Sequence, residues 1–115
     1  CSGVGTWQKN PHARWMTTPT DVLELSEIQK RLLAHVATAV KPGGKLIYAV
    51  CTLTESETIS VTEHFSRTQP GFEPLPLPAV AEKKNSRPES AVRWIWPQDF
   101  GGNGMFVAAW RRKKN

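Results

Sequence analysis

After Thr20, apolar residues recur three or four positions apart at Leu25, Ile28, Leu32, Val36 and Val40, the spacing of one face of an α-helix. Thr20 or Ser26 offers a capping hydroxyl at its start. The run Lys41-Pro42-Gly43-Gly44 ends it, because proline cannot continue the hydrogen-bond ladder and glycine accepts the turn. The period then changes. Residues 45–50, "KLIYAV", are almost wholly apolar, with β-branched and aromatic side chains, which predicts a strand covered on both faces and central in its sheet. Thr54-Glu55-Ser56-Glu57 has the form of a capping box. A second helix is therefore expected to run to about Ser66, with Ile59, Val61 and Phe65 as its core side.

The flanks carry weaker patterns. Residues 1–6, "CSGVGT", are small and glycine-rich and read as a loop that lets backbone approach something closely; the lysine and serine of a P-loop are lacking. "WQKNPHARWMTTPTD" reads as irregular and mixes aromatic with basic side chains. Beyond the second helix the chain is proline-rich, with one short strand near Phe72, an exposed connection over residues 79–92 and a short extended piece at 93–96. "GMFVAAWR", residues 104–111, reads as a closing strand introduced by the Gly101-Gly102-Asn103-Gly104 turn. Helix, glycine turn and buried strand form half of an α/β unit, so one α/β domain over residues 1–115 is expected, with the helices around Leu32 and Val61 packed on the faces of the 45–50 strand.

Composition narrows the class. The chain has 115 residues, 39% hydrophobic and 22% charged, enough to bury one core and too apolar for a disordered segment. Its longest apolar run is too short for a bilayer and follows no leader, which points to a cytoplasmic protein with no membrane partner. The formal charge of +5 and the closing Arg111, Arg112, Lys113 and Lys114 suit a polyanion such as nucleic acid, though a terminal cluster alone is more often a solvated tail. Two cysteines make no disulfide framework, so reduced thiols are expected. His12, His35 and His64 stand apart from them, and no metal is expected. The chain opens on Cys1 rather than methionine, as a processed protein or a piece of a longer one would.

Cys51 follows the best strand directly. In open α/β sheets ligands sit beyond the carboxyl ends of the strands, which makes this thiol a candidate nucleophile. A helix beginning directly afterwards would aim its positive end near the sulfur and favour thiolate. Taken alone, a cysteine is more often a small core hydrophobe.

Cys1-Ser2-Gly3-Val4-Gly5-Thr6, then Asn10-Pro11, then Lys41-Pro42-Gly43-Gly44-Lys45-Leu46-Ile47-Tyr48 leading to Cys51-Thr52-Leu53, then Gly102-Asn103-Gly104-Met105-Phe106-Val107 form a longer pattern. In order and spacing it closely resembles the C-terminal half of the Sun family of RNA cytosine-5 methyltransferases. The resemblance implies part of a Rossmann-like sheet, about three strands with flanking helices, the closing antiparallel strand lying between the other two. It implies Cys51 as the nucleophile that adds to C6 of a flipped cytosine, and Cys1, in the same crevice, as the residue that helps eliminate the enzyme from the methylated base. Lys9, Asn10, Arg14 and Trp15 would line the path of the RNA, ribosomal or transfer, although of these only Asn10 belongs to the family pattern. The full enzyme would use S-adenosylmethionine, whose site would lie before Cys1, so the chain alone is expected to hold no cofactor and to be inactive.

The chain departs from the pattern in three places: Val50 stands for the usual threonine, Glu55-Ser56-Glu57-Thr58 for a Pro-Glu-Glu-Asn run, and Asn103 for an aspartate. An alternative of another class is a basic RNA-binding or protein-interaction module derived from a truncated methyltransferase. Absence of the preceding strands would leave one edge of the 45–50 strand bare, which predicts a homodimer through that edge or through the helix face at 25–36; the competing form is a monomer whose residues 1–15 fold over the edge.

Overall fold

Thr18, rather than Thr20 or Ser26, caps the long helix. In the computed structural model, which describes residues 1–6, 11–77, 91–96 and 104–114, its hydroxyl accepts from the Asp21 N–H and the Asp21 carboxylate accepts from the Thr18 N–H. This reciprocal box, with Pro19 in the first turn, starts helix α2 at Pro19–Ala37. Thr20 already lies inside the helix. A shorter helix, α1 at Pro11–Met16, precedes it where the sequence reads as irregular, and a 3-10 turn spans Val4–Thr6. After α2 the chain reverses at Gly43, which takes a left-handed φ of 79°, and its N–H is taken up by the Arg112 carbonyl.

Strand β1, Lys45–Val50, is followed by helix α3 at Ile59–Thr68, then β2 at Phe72–Pro74, β3 at Val92–Ile95 and β4 at Met105–Arg112. The closing strand β4 is the centre of an antiparallel sheet. β1 runs along one of its edges from Lys45↔Arg111 to Val50↔Phe106. On the other edge β2 and β3 lie end to end, β2 from Phe72↔Arg112 to Pro74↔Trp110 and β3 from Val92↔Ala108 to Ile95↔Met105. The closing strand therefore lies between the others as expected. The expectation of β1 as the central strand is corrected: among the described strands it pairs only with β4. Val92 opens β3, while residues 79–90 of the expected connection and the 101–103 part of the expected turn lie outside the described residues.

The expectation that β1 is covered on both faces is also corrected. Its burial alternates: Leu46, Tyr48 and Val50 are buried, whereas Lys45, Ile47 and Ala49 are exposed, Ile47 by 60%. The reason is that both α2 and α3 pack on the same face. Leu33 and Ala37 of α2 and Val61 and Phe65 of α3 share one cluster with Leu46, Tyr48, Val50, Phe106 and Trp110. Phe106 and Trp110 are almost completely buried, and Trp110 also donates its indole N–H to the Ser66 hydroxyl, so its one polar atom is satisfied at the rim of the core.

On α2 the buried stripe is Ser26, Gln29, Leu33 and Ala37, one position round the helix from the apolar stripe the sequence suggests. Leu25 is half-buried, and Ile28, Leu32 and Val36 are 42, 58 and 47% exposed. Polar contacts turn the helix this way: the Ser26 hydroxyl donates to the Ser56 carbonyl, and the Gln29 amide reaches a carboxylate in the turn before α3. That turn displaces the second helix as well, which starts at Ile59 instead of directly after Thr54. Among the described residues no helix is long and apolar enough to cross a membrane.

Candidate functional site

Antiparallel pairing puts the end of β1 beside the start of β4, and the first loop of the chain is stitched between them. The Gly5 N–H donates to the Cys51 carbonyl at 3.0 Å, and the Gly5 carbonyl accepts from the Gly104 N–H at 2.8 Å. A Cβ at residue 5 would lie 1.9 Å from the Gly104 oxygen and 2.9 Å from the Cys51 oxygen, so only glycine fits. The close approach read from "CSGVGT" is thus made to the protein's own backbone. The loops that carry Cys1 and Cys51 adjoin at one end of the sheet. Both thiols are free, Cys1 exposed and Cys51 half-buried.

Beneath these loops lies Glu57, a carboxylate with no exposed surface. Its Oε1 accepts from the Ser2 N–H at 2.7 Å and from the Gln29 amide at 3.2 Å. Its Oε2 accepts from three hydroxyls, Ser2 at 2.6 Å, Thr52 at 2.8 Å and Thr54 at 2.7 Å. One group therefore ties the residue after Cys1, the residue after Cys51 and the buried stripe of α2. Burial by itself pushes this carboxyl up, but the hydrogen bonds from Ser2, Thr54 and Thr52 together outweigh it and hold the group below the ordinary carboxylate range. Tyr48, from the middle of β1, donates its hydroxyl to the Glu57 backbone carbonyl at 2.6 Å. Burial, and then the nearby Glu57 charge, raise the phenol well above its usual range, so it remains a donor.

The expected helix end behind Cys51 is corrected here. A turn over residues 55–58 intervenes before α3, and a helix dipole acts only within about its first turn. The group behind the Cys51 loop is the ionised Glu57. Sequence reasoning identified Thr54 and Glu57 as a pair but assigned them to helix capping; the structure joins their side chains and turns the carboxylate inward, toward Ser2 and Thr52. Ser2, Thr52 and Gln29 were missed. The available signal was a glutamate three residues beyond a threonine, at a strand end flanked by further hydroxyls, in a place where a charge must find donors if it is buried.

Of the expected RNA-facing residues, Arg14 and Trp15 lie on α1, with Trp15 81% exposed. Lys9 and Asn10 fall outside the described residues. Among the described residues no three His, Cys, Asp or Glu side chains gather as metal ligands.

The sequence model of a family described as 16S rRNA methyltransferase RsmB/F matches residues 1–111. The chain is 35% identical over 115 residues to the probable ribosomal RNA small subunit methyltransferase B of Bacillus subtilis (strain 168), covering 98% of this chain and 26% of that protein. It is 37% identical over 111 residues to the ribosomal RNA small subunit methyltransferase F of Shewanella sp. (strain MR-7), covering 94% of this chain and 23% of the relative. The chain thus spans about a quarter of the length of these relatives. A crystal structure of a methyltransferase homologue from Pyrococcus horikoshii is similar over 84% of this chain and 33% of that one, with a TM-score of 0.70 and 28% identity. This likeness sets the α/β arrangement within the Rossmann-like methyltransferase fold.

Proposed function

We propose that this chain, which belongs to the 16S rRNA methyltransferase RsmB/F family within the Sun group, is the catalytic-cysteine portion of an enzyme that methylates C5 of cytosine in RNA. The observation that carries the reading is the lock of Gly5 on Cys51 and of Ser2 and Thr52 on Glu57, which sets the two cysteine loops side by side with both thiols free. An aromatic C5 is a poor nucleophile. When the Cys51 thiolate adds to C6, an S–C6 bond forms and the C5=C6 π pair moves to C5, which becomes enamine-like and attacks an electrophilic methyl group. Afterwards the C5 proton is removed, its pair restores C5=C6, and the S–C6 pair returns to sulfur. Cys1 assists that removal.

S-adenosylmethionine, implied by the resemblance to the Sun family, would supply the methyl group in the full enzyme. Two glycines at this sheet end offer it no backbone approach, because Gly5 is closed by the Gly104 and Cys51 carbonyls and Gly104 by Leu53 and Gly5. The chain alone is accordingly proposed to be inactive, and the donor site is assigned to the part of the relatives that this chain does not span. For the RNA, Lys9, Asn10, Arg14 and the exposed Trp15 offer charge and a stacking face, as unstacked bases require.

The test uses the full-length context with cytosine-containing rRNA or tRNA. Cys51→Ala is expected to abolish methylation and any covalent RNA adduct while RNA affinity stays within about threefold of wild type. Methylation that survives Cys51→Ala would reject the assignment and favour a binding module.

A further inference from the structure

Cys1 and Cys51 are held in different ways. Cys51 continues directly from β1, whose last residue, Val50, is buried and paired with Phe106. The next residue, Thr52, is fully buried. Cys1 sits on the adjoining loop, which Gly5 joins to Cys51 and Gly104. Its neighbour Ser2 is fastened through two bonds to the Glu57 carboxylate, from its N–H and its hydroxyl, and through a weaker 3.2 Å contact to the Thr52 hydroxyl, which is itself bonded to Glu57. Gly5 is fastened further along, to Cys51 and Gly104. Removing the carboxylate would break both ties at Ser2, beside Cys1, and leave the β1–β4 pairing that carries Cys51 in place.

We infer that Glu57 is a positioning residue that sets Cys1 against Cys51, so that its loss slows release of the methylated base while sparing attack on C6. The inference deepens the function proposed above and rests on it. In the release step the C5–H pair must reform C5=C6 as the S–C6 bond breaks and Cys51 leaves as thiolate. If the thiol that assists removal of the C5 proton drifts, the chain stalls as an adduct through the Cys51 sulfur. A role confined to fold stability would instead lower turnover and adduct together.

The two oxygens of Glu57 differ in what they tolerate. Oε1 meets N–H donors, which cannot reverse, whereas Oε2 meets three hydroxyls, which can rotate to accept. An amide with its oxygen at the Oε1 place and its NH2 toward the hydroxyls keeps much of the tie. Glu57→Gln should therefore rescue what Glu57→Ala loses.

The experiment incubates the full-length enzyme with ordinary cytosine RNA and S-adenosylmethionine, and compares denaturant-stable RNA–protein adduct with methylation rate. Cys51→Ala and Cys1→Ala are the reference variants: the first should form no adduct, the second should accumulate it. Glu57→Ala is expected to accumulate adduct as Cys1→Ala does and to lose at least about tenfold in kcat with KM for RNA nearly unchanged. Glu57→Gln should fall between it and wild type. Ser2→Ala, which removes one hydroxyl and leaves Glu57 its other donors, should show a smaller accumulation, and it decides the matter should Glu57→Ala fail to fold. If Cys1→Ala accumulates adduct while Ser2→Ala and every folded Glu57 variant stay at the wild-type level, the inference is overturned. If Cys51→Ala still forms adduct, or Cys1→Ala accumulates none, the underlying reading of the cysteines fails instead.

Discussion

Glu57 places a negative charge in the interior, and its two oxygens accept from Ser2, Thr52, Thr54 and Gln29, tying the two cysteine loops to each other and to α2. A buried charge is costly unless it is fully bonded, since desolvation favours the neutral form. Here the donors win and the folded pKa is depressed. Linkage gives the sign: a carboxyl bound more tightly as an anion in the folded state stabilises that state above its unfolded pKa, about 4.3, and this contribution is lost as pH falls through the lower folded value. Urea midpoints of wild type and Glu57→Gln should therefore differ most near neutral pH, with the variant less stable, and converge as the solution is acidified below pH ~4. A gap that stays constant or widens toward acid would show that the carboxylate is not held as an anion. Sequence alone marked Glu57 only as an i, i+3 partner of Thr54, because its decisive partner, Ser2, lies 55 positions away.

Among the elements, α2 shows how local chemistry sets an end while tertiary contacts set a face. The sequence reading set its cap at Thr20 or Ser26, whereas the reciprocal box is formed by Thr18 and Asp21, with Pro19 in the first turn. Thr18→Ala should lower stability by about 1 kcal/mol, the usual worth of a capping hydroxyl, while Thr20→Ala, inside the helix, should leave the denaturation midpoint unchanged or slightly raised. Equal losses at both sites would contradict the assigned cap. The inward face was not legible. The stripe of Ile28, Leu32 and Val36 has the better hydrophobic pattern, yet Ser26 and Gln29 point inward because Ser56 and Glu57 bind them there. Strand β1 repeats the lesson, since a run of apolar residues suits two covered faces but both helices lie on one.

For the molecule as a whole, these two outcomes leave a continuous apolar surface. Leu32 and Val36 of α2 and Ile47 of β1 stand exposed and line, with Leu33, Leu46 and Tyr48, a groove of about 160 Å³. Alongside it β1 offers an edge unpaired by any described strand. An apolar patch next to a bare strand edge favours association. The 115-residue chain on its own is expected to self-associate at micromolar concentration in gel filtration with light scattering, and Leu32→Glu with Ile47→Lys should shift it to monomer without loss of helix signal. A wild-type chain that stays monomeric and folded on dilution would rule self-association out.

What the sequence determined by itself is everything that a short window encodes. The strand at 45–50, the glycine turn before it, the closing strand and the thiol at a strand end follow from side-chain period and from glycine and proline sterics, which act over a few residues. Tertiary structure alone decided that both helices lie on one face of β1, that α2 turns its polar stripe inward, and that Glu57 ties two loops rather than capping a helix. Each of these depends on partners far away in the chain, 28 positions for Gln29 and Glu57 and 55 for Ser2 and Glu57. Periodicity can name an apolar face, but a buried charge goes where its donors converge, and that convergence exists only once the chain has folded.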